Sequence, residues 1–307
     1  MKKLIILLLL LFGSIASFAQ RDALYSQYIF NYHILNPAFS GSLEKLAINL
    51  VNRNQWVGIN GAPHTITFST HMPIRNDRIA LGIYVYTDRL GPYTDFGFIS
   101  TYAYRVKLKK GKLSLGLQMG VKQSDIDWDM VVMEKMNDIY LLTRPQSKII
   151  PDANFGIYYS NDNFFAGFSS KHLFERAFVE KGSEGGSNFK SLSRHFYTYL
   201  GGFLHINKRL VYRPSVLIKF VDNGDFSIDF NSSIMINDLF WIGVSYRTNI
   251  NSLVFLTEIK VNTKLKVGYS YDTYLGDIRA YNIGTHEFFV GYEINPFDRV
   301  VYRPYYF

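Results

Sequence analysis

Lys112-Leu113-Ser114-Leu115-Gly116-Leu117-Gln118-Met119-Gly120-Val121-Lys122 sets an unbroken apolar series, Leu113, Leu115, Leu117, Met119 and Val121, against alternate residues that are small or polar. Successive side chains of an extended strand point to opposite sides, so one face of this segment takes hydrocarbon and the other takes water. Phe226, Ile228, Phe230, Ser232, Ile234 and Ile236 repeat the pattern against Ser227, Asp229, Asn231 and Ser233. Leu265, Val267, Tyr269 and Tyr271 do the same against Lys266, Gly268, Ser270 and Asp272. Such amphipathic segments are long enough to cross a bilayer as tilted strands.

Working outward, the same alternation predicts strands near 46–55, 64–72, 79–88, 96–108, 112–123, 152–160 and 164–170. A second set falls near 195–206, 211–221, 226–236, 240–248, 252–261, 265–272 and 287–294. The count is about 14, an even number, as a single-chain bacterial barrel requires. The links alternate in length. With the first strand rising from the periplasm, every even-to-odd link is short, and the longest links, 124–151, 171–194 and 273–286, are all odd-to-even. Tight periplasmic turns and long outer loops give a barrel this parity, whereas a soluble β-sandwich has no reason to sort its loops so. The fold class expected is therefore all-β, a transmembrane antiparallel β-barrel in the outer membrane, spanning residues 46–297.

The ends fit that setting. Lys2 and Lys3 precede an apolar run from Leu4 to Phe12, and Ser17-Phe18-Ala19 closes it with a small-x-small pattern, so 1–19 reads as a signal peptide. Residues 20–45, rich in Tyr and Asn, are expected to be a periplasmic segment or a plug in the lumen. Residues 298–307 form a tail; Pro296 and Pro304 interrupt pairing there, so the barrel-insertion signal is expected nearer Phe297 than Phe307.

Composition narrows the function. The chain holds no Cys, which removes disulfides, thiolate metal sites, cysteine nucleophiles and an expected lipid anchor. Its net charge of +8 is mild and spread out, so nucleic acid is not an expected partner, while outer-membrane lipid is. The aromatic share of 17%, with 23 Tyr and 25 Phe, suits a barrel whose rings sit at the membrane interfaces. Gly-x-Ser-x-Gly, His-Glu-x-x-His and phosphate-loop motifs are all missing, so neither catalysis nor a cofactor is expected. His64 and His71 fall on opposite faces of one strand, and His195 and His205 share a face but lie ten residues apart, so no joint metal site is expected. Asp125, Asp127 and Asp129 alternate around Trp128 in what reads as an outer loop, without the glycine that a calcium loop needs.

Two loops are built to hold one shape: Arg53-Asn54-Gln55-Trp56-Val57-Gly58-Ile59-Asn60-Gly61-Ala62-Pro63 and Asp88-Arg89-Leu90-Gly91-Pro92. Gly permits positive φ and Pro locks φ. With Asn36 and Pro37 of the N-terminal segment, they supply the candidate partner-binding residues Gln55, Trp56, Gly61, Pro63, Arg89, Gly91 and Pro92.

These motifs also carry a likeness. Tyr25-Ser26-Gln27-Tyr28, Leu35-Asn36-Pro37-Ala38-Phe39-Ser40-Gly41-Ser42, Arg53-Asn54-Gln55-Trp56, Gly61-Ala62-Pro63 and Asp88-Arg89-Leu90-Gly91-Pro92 follow in order. Tyr102-Ala103-Tyr104-Arg105, Leu113-Ser114-Leu115-Gly116-Leu117 and Thr285-His286-Glu287 come after them. The chain resembles the PorP/SprF family of outer-membrane proteins of the type IX secretion system. The resemblance implies a non-enzymatic role in export, with two kinds of partner: a secreted, adhesin-like protein bearing a C-terminal sorting domain, and periplasmic or outer-membrane secretion components. On that reading the rigid loops receive the cargo and Leu24 to Ser42 meets the periplasmic machinery. The other function the residues permit is a substrate-specific pore for small molecules.

Overall fold

A computed structural model describes residues 22–74, 77–131, 147–174, 193–222, 224 and 226–295. The signal peptide, Phe297, the 298–307 tail and parts of the long outer links lie outside the described residues. The strands are β1 (Leu46–Asn54), β2 (His64–Pro73), β3 (Ile79–Leu90), β4 (Tyr93–Lys107), β5 (Lys112–Ile126), β6 (Lys148–Ser160) and β7 (Phe164–Lys171). Then come β8 (His195–Gly202), β9 (Leu204–Asn207), β10 (Leu210–Val221), β11 (Phe226–Ile236), β12 (Phe240–Arg247), β13 (Ser252–Lys260), β14 (Leu265–Tyr274) and β15 (Thr285–Ile294).

Apart from β8 and β9, which both pair with β10, each strand pairs antiparallel with the next, and β15 returns to β1 with Leu46 opposite Ile294 and Asn54 opposite His286. β8 and β9 lie in one register along β10, Gly201 against Ser215 and Leu204 against Tyr212, interrupted at the buried Phe203 and shifting only at the rim, between Leu210 and Val211. They are one wall segment, so the closed barrel has the fourteen that the alternation predicts. Closure leaves no sheet edge to strand backbone amides in hydrocarbon. Along β5, Leu115, Leu117, Met119 and Val121 face out while Ser114, Gln118 and Lys122 are buried toward the lumen.

The parity of links also holds. On one rim the connections are two to five residues long: 74–78, 108–111, 161–163, 208–209, 237–239 and 261–264. Three close through the same device: the Oδ1 atoms of Asn161, Asn207 and Asn262 each accept from two backbone amides, that of the last turn residue and that of the first residue of the next strand. A fourth places Asn237 and Asp238 both at positive φ, the hairpin geometry that matches strand twist. By loop length this rim is periplasmic.

Several strands run further on the outer side than the sequence reading gives them, and β6 begins at Lys148 instead of 152. Asp88 to Tyr93 is not a loop: β3 and β4 run on to Leu90 and Tyr93, Arg89 pairs with Thr94, and only Gly91 and Pro92 turn. Asp125 likewise belongs to β5, opposite Thr94, so only Asp127 and Asp129 of the acidic triplet lie beyond the strand. Cross-strand pairing above the membrane carried these segments on as sheet where Gly, Pro and Asp had signalled a loop.

The lumen is filled by the chain itself. Residues 22–45 pass from the outer side, where Asp22 meets His172 just after β7, to the periplasmic side, where Glu44 meets Arg105 and Lys112. Three short 3-10 turns, Gln27–Phe30, Tyr32–Ile34 and Pro37–Phe39, punctuate the path. Tyr28, Tyr32 and Phe39 pack with Tyr158, Phe165 and Tyr199 of the wall in one buried core, Tyr32 stacking on Tyr199 at 4.4 Å.

The lipid face gives the first test. Leu117→Arg should lower the urea midpoint of the protein folded in lipid vesicles by an amount equal to about 2–4 kcal/mol, the cost of a cation near the bilayer midplane. An unchanged midpoint would mean that Leu117 does not face hydrocarbon.

Candidate functional site: the lumen segment and the outer loops

Inward positions of six wall strands bring opposite charges together. Lys219 of β10 lies 2.8 Å from Asp229 of β11, and Arg247 of β12 lies 3.2 Å from the same carboxylate. Arg53 of β1 contacts Asp272 of β14 and Glu287 of β15, each at 2.8 Å. Arg247 also stands 3.8 Å from Asp272, which joins the two groups. Three cations thus meet three carboxylates, all out of bulk water. Buried charges persist only when paired and fully hydrogen-bonded.

The N-terminal segment adds further bonds to this cluster. Ser26 N and Gln27 N donate to the two oxygens of Glu287 at 2.8 Å, and Ser26 Oγ donates to Asp272 at 2.8 Å. Arg53 donates in turn to Ser26 Oγ at 2.9 Å, and Arg247 donates to the Tyr25 carbonyl at 3.0 Å. Further along, Arg213 lies 4.2 Å from the Trp241 ring and 5.3 Å from that of Phe30, and donates to the Ile29 carbonyl.

A second seat is steric. Gly116 and Gly156 stand opposite each other in β5 and β6, and a Cβ on either would collide with Asn36, Pro37 or Ala38. Asn36 is held there from both sides: its Oδ1 accepts from Ala38 N at 2.8 Å, while its Nδ2 donates to the Ile157 carbonyl at 2.9 Å. Just before it, Ser169 Oγ donates to the Leu35 carbonyl. The buried His33 ring meets Thr101 at 3.0 Å.

The outer end is a latch. His172, at φ +58 and therefore strained for a non-glycine residue, places Nε2 2.9 Å from Asp22 and Nδ1 3.1 Å from Asp152. Burial opposes its charge, but Asp22 and Asp152 outweigh that and raise His172 to about 9. Burial pushes the Asp22 carboxyl up, yet His172 and His195 hold it well below the usual carboxylate range.

Above the membrane, the outer links are tied to one another. Gln55 N donates to the Pro63 carbonyl, closing the first loop at 2.9 Å. Gly91 N donates to the Gly61 carbonyl at 2.8 Å, and Asp127 N to the Pro92 carbonyl at 2.8 Å. On the other side Val57 exchanges both backbone bonds with 283–284, and Trp56 N donates to Thr285 Oγ1. Trp56 itself has φ +50.

The candidate residues therefore fall in two places. Gln55, Trp56, Gly61, Pro63, Arg89, Gly91 and Pro92 share the outer rim, with Gly61 and Arg89 exposed and Gln55 buried. Asn36 and Pro37 lie inside the barrel, where they are closed off by β5 and β6, and most of Leu24 to Ser42 is buried with them. A direct meeting of that stretch with periplasmic machinery would require it to leave the lumen. Sequence reasoning missed the partners of this segment, Arg53, Asp272 and Glu287 among them, and the outer link 281–284. Their signal was inward polarity on amphipathic strands, which marks a lumen without saying what fills it. Among the described residues no His, Asp or Glu group is placed to hold a metal ion.

The model of the type IX secretion system membrane protein PorP/SprF family matches residues 17–292. This chain belongs to the PorP/SprF family. No curated protein matches it. Among solved structures, the TodX deltaS2S3 mutant, a monoaromatic hydrocarbon channel, is 10% identical with a TM-score of 0.51, over 86% of this chain and 94% of that one. The Ralstonia pickettii toluene transporter TbuX is 10% identical with a TM-score of 0.50, over 85% and 92%. At such identity they share the outer-membrane barrel fold alone. Family and fold together make this PorP/SprF member an outer-membrane component of the type IX secretion system.

Two outcomes test the seat. Glu287→Ala leaves Arg53 buried beside a lost partner and should cost about 3–5 kcal/mol, read as a lowered urea midpoint; a change under about 1 kcal/mol would show that the cluster does not hold the barrel. The latch depends on pH with a definite sign. A His whose pKa is raised from 6.5 to about 9 stabilises fully below 6.5 and loses its contribution as pH rises through 9. The lowered Asp22 acts above its ordinary 3.8 and loses its contribution in more acidic solution. Hydrogen exchange, corrected for intrinsic rates, should therefore show amides 23–25 losing protection between pH 7 and pH 10 while those of Asn36 and Ala38 keep theirs. Equal protection at both pH values would contradict the latch.

Proposed function

We propose that this barrel is a non-enzymatic docking platform, which anchors secreted surface proteins through their C-terminal sorting domain at the outer loops. The observation that carries the reading is the filled lumen: residues 22–45 occupy the space a small-molecule pore would need, while the outer links are bonded into one rigid surface. A preformed surface loses little entropy on binding. Gln55–Pro63, the Arg89–Pro92 hairpin tip and 275–284 supply that surface. Tyr281 and Ile283, 75% and 68% exposed, offer apolar anchors beside Trp56.

The N-terminal segment stiffens the wall from within in this account, and periplasmic components of the system approach from the short-turn rim. Catalysis has no part in it. Replacing Trp56, Gly58 and Gly61 with Ala should reduce cargo on the cell surface severalfold, measured by surface labelling, while the barrel still inserts. Undiminished display with normal insertion would refute docking at these loops.

A further inference from the structure

Exposed charge is unevenly divided between the two rims. On the short-turn rim, Lys107, Lys109 and Lys110 flank or form the β4–β5 turn, Lys208 and Arg209 form the β9–β10 turn, and Lys264 lies in the β13–β14 turn; all six are exposed. The remaining three turns add one exposed charge each, Arg78, Asp162 and Asp238. On the long-loop rim, Arg89 and Arg279 stand among exposed Asp127, Asp129 and Asp277. Among the described residues, exposed positive charge is therefore concentrated on the periplasmic side. None of the six is in an ion pair among the described residues, whereas the neighbouring Lys45, Lys112 and Lys266 are paired with Glu293 or Glu44.

We propose that these six side chains bind the phosphate headgroups of anionic phospholipid in the periplasmic leaflet, giving the barrel an ordered lipid annulus. Three observations favour lipid over an acidic protein. First, exposed apolar side chains lie in or beside the same turns: Leu108 lies between Lys107 and Lys109, Ile206 two residues before Lys208, and Val261 three residues before Lys264. The cations stand where the apolar band ends, which is headgroup depth, and their long stems can reach along it. Second, the three basic turns are distributed around the barrel, after wall segments four, eight and twelve, and so surround it instead of forming one docking face. Third, the turns are two to four residues long and form no concave surface into which a protein could fit. A basic residue at such a surface raises local anionic-lipid affinity by about fivefold, and screening by salt removes the effect beyond a Debye length.

The full-length protein would be placed in nanodiscs of phosphatidylcholine with a minor fraction of phosphatidylglycerol. The lipid retained on gentle detergent extraction would then be quantified by mass spectrometry. The expected result is a severalfold enrichment of phosphatidylglycerol that falls in high salt and is lost in a variant carrying K107Q, K109Q, K110Q, K208Q, R209Q and K264Q. Heat-modifiable electrophoretic mobility shows whether that variant is folded. Should it not fold, the K109Q/K110Q variant serves, with a smaller loss expected. Equal phosphatidylglycerol retention by wild type and folded variant would overturn the proposal. So would unchanged lipid retention combined with loss of binding to an acidic periplasmic protein.

Discussion

Arg53 joins the parts of this molecule. It projects inward from the first strand, meets carboxylates from β14 and β15, and bonds to the hydroxyl of Ser26 in the segment that fills the lumen. A guanidinium in so dry a place is tolerated only because its partners are fixed on both sides. The first strand, the last two and the N-terminal segment are thereby held by one set of charges at the seam where the barrel closes. The seam between β15 and β1 has the greatest sequence separation of any pairing in the wall, and so the largest loop-closure cost.

The filled lumen changes what the fold can do. Barrels of this size have room for a channel, and the shared architecture with hydrocarbon transporters shows only that the wall is alike. Here the interior polar residues are occupied in holding Tyr25 to Gln27, and a glycine pair is given up to seat Asn36 to Ala38. The interior is consequently given to rigidity, and the proposed recognition falls to the rims. The outer rim is bonded across four links, and among the described residues the periplasmic rim carries most of the exposed positive charge.

The wall was legible in the sequence because period-two alternation and loop parity are local signals, each visible within ten or twenty residues. The series from Leu113 to Val121 and from Phe226 to Ile236 needed no partner to be read. Errors came where local signals misled: Asp88 to Pro92 has turn composition, yet pairing between β3 and β4 extends the sheet to Leu90 and Tyr93. The lumen contacts were not legible, since Ser26 and Asp272 are 246 positions apart and inward polarity does not name its partner. Yet the motifs that carry the family likeness are largely these contacts. Tyr25-Ser26-Gln27-Tyr28 meets Arg53 and Glu287, and Asn36-Pro37-Ala38 meets Gly116. The likeness marked the residues, and the fold supplied the reason they belong together.

The central claim is that the chain closes its own lumen, and planar-bilayer recording of the purified full-length protein tests it most directly. The account predicts a membrane that stays at its baseline leak at neutral pH, with no steady single-channel steps. A stable ohmic current from the unaltered protein would contradict it.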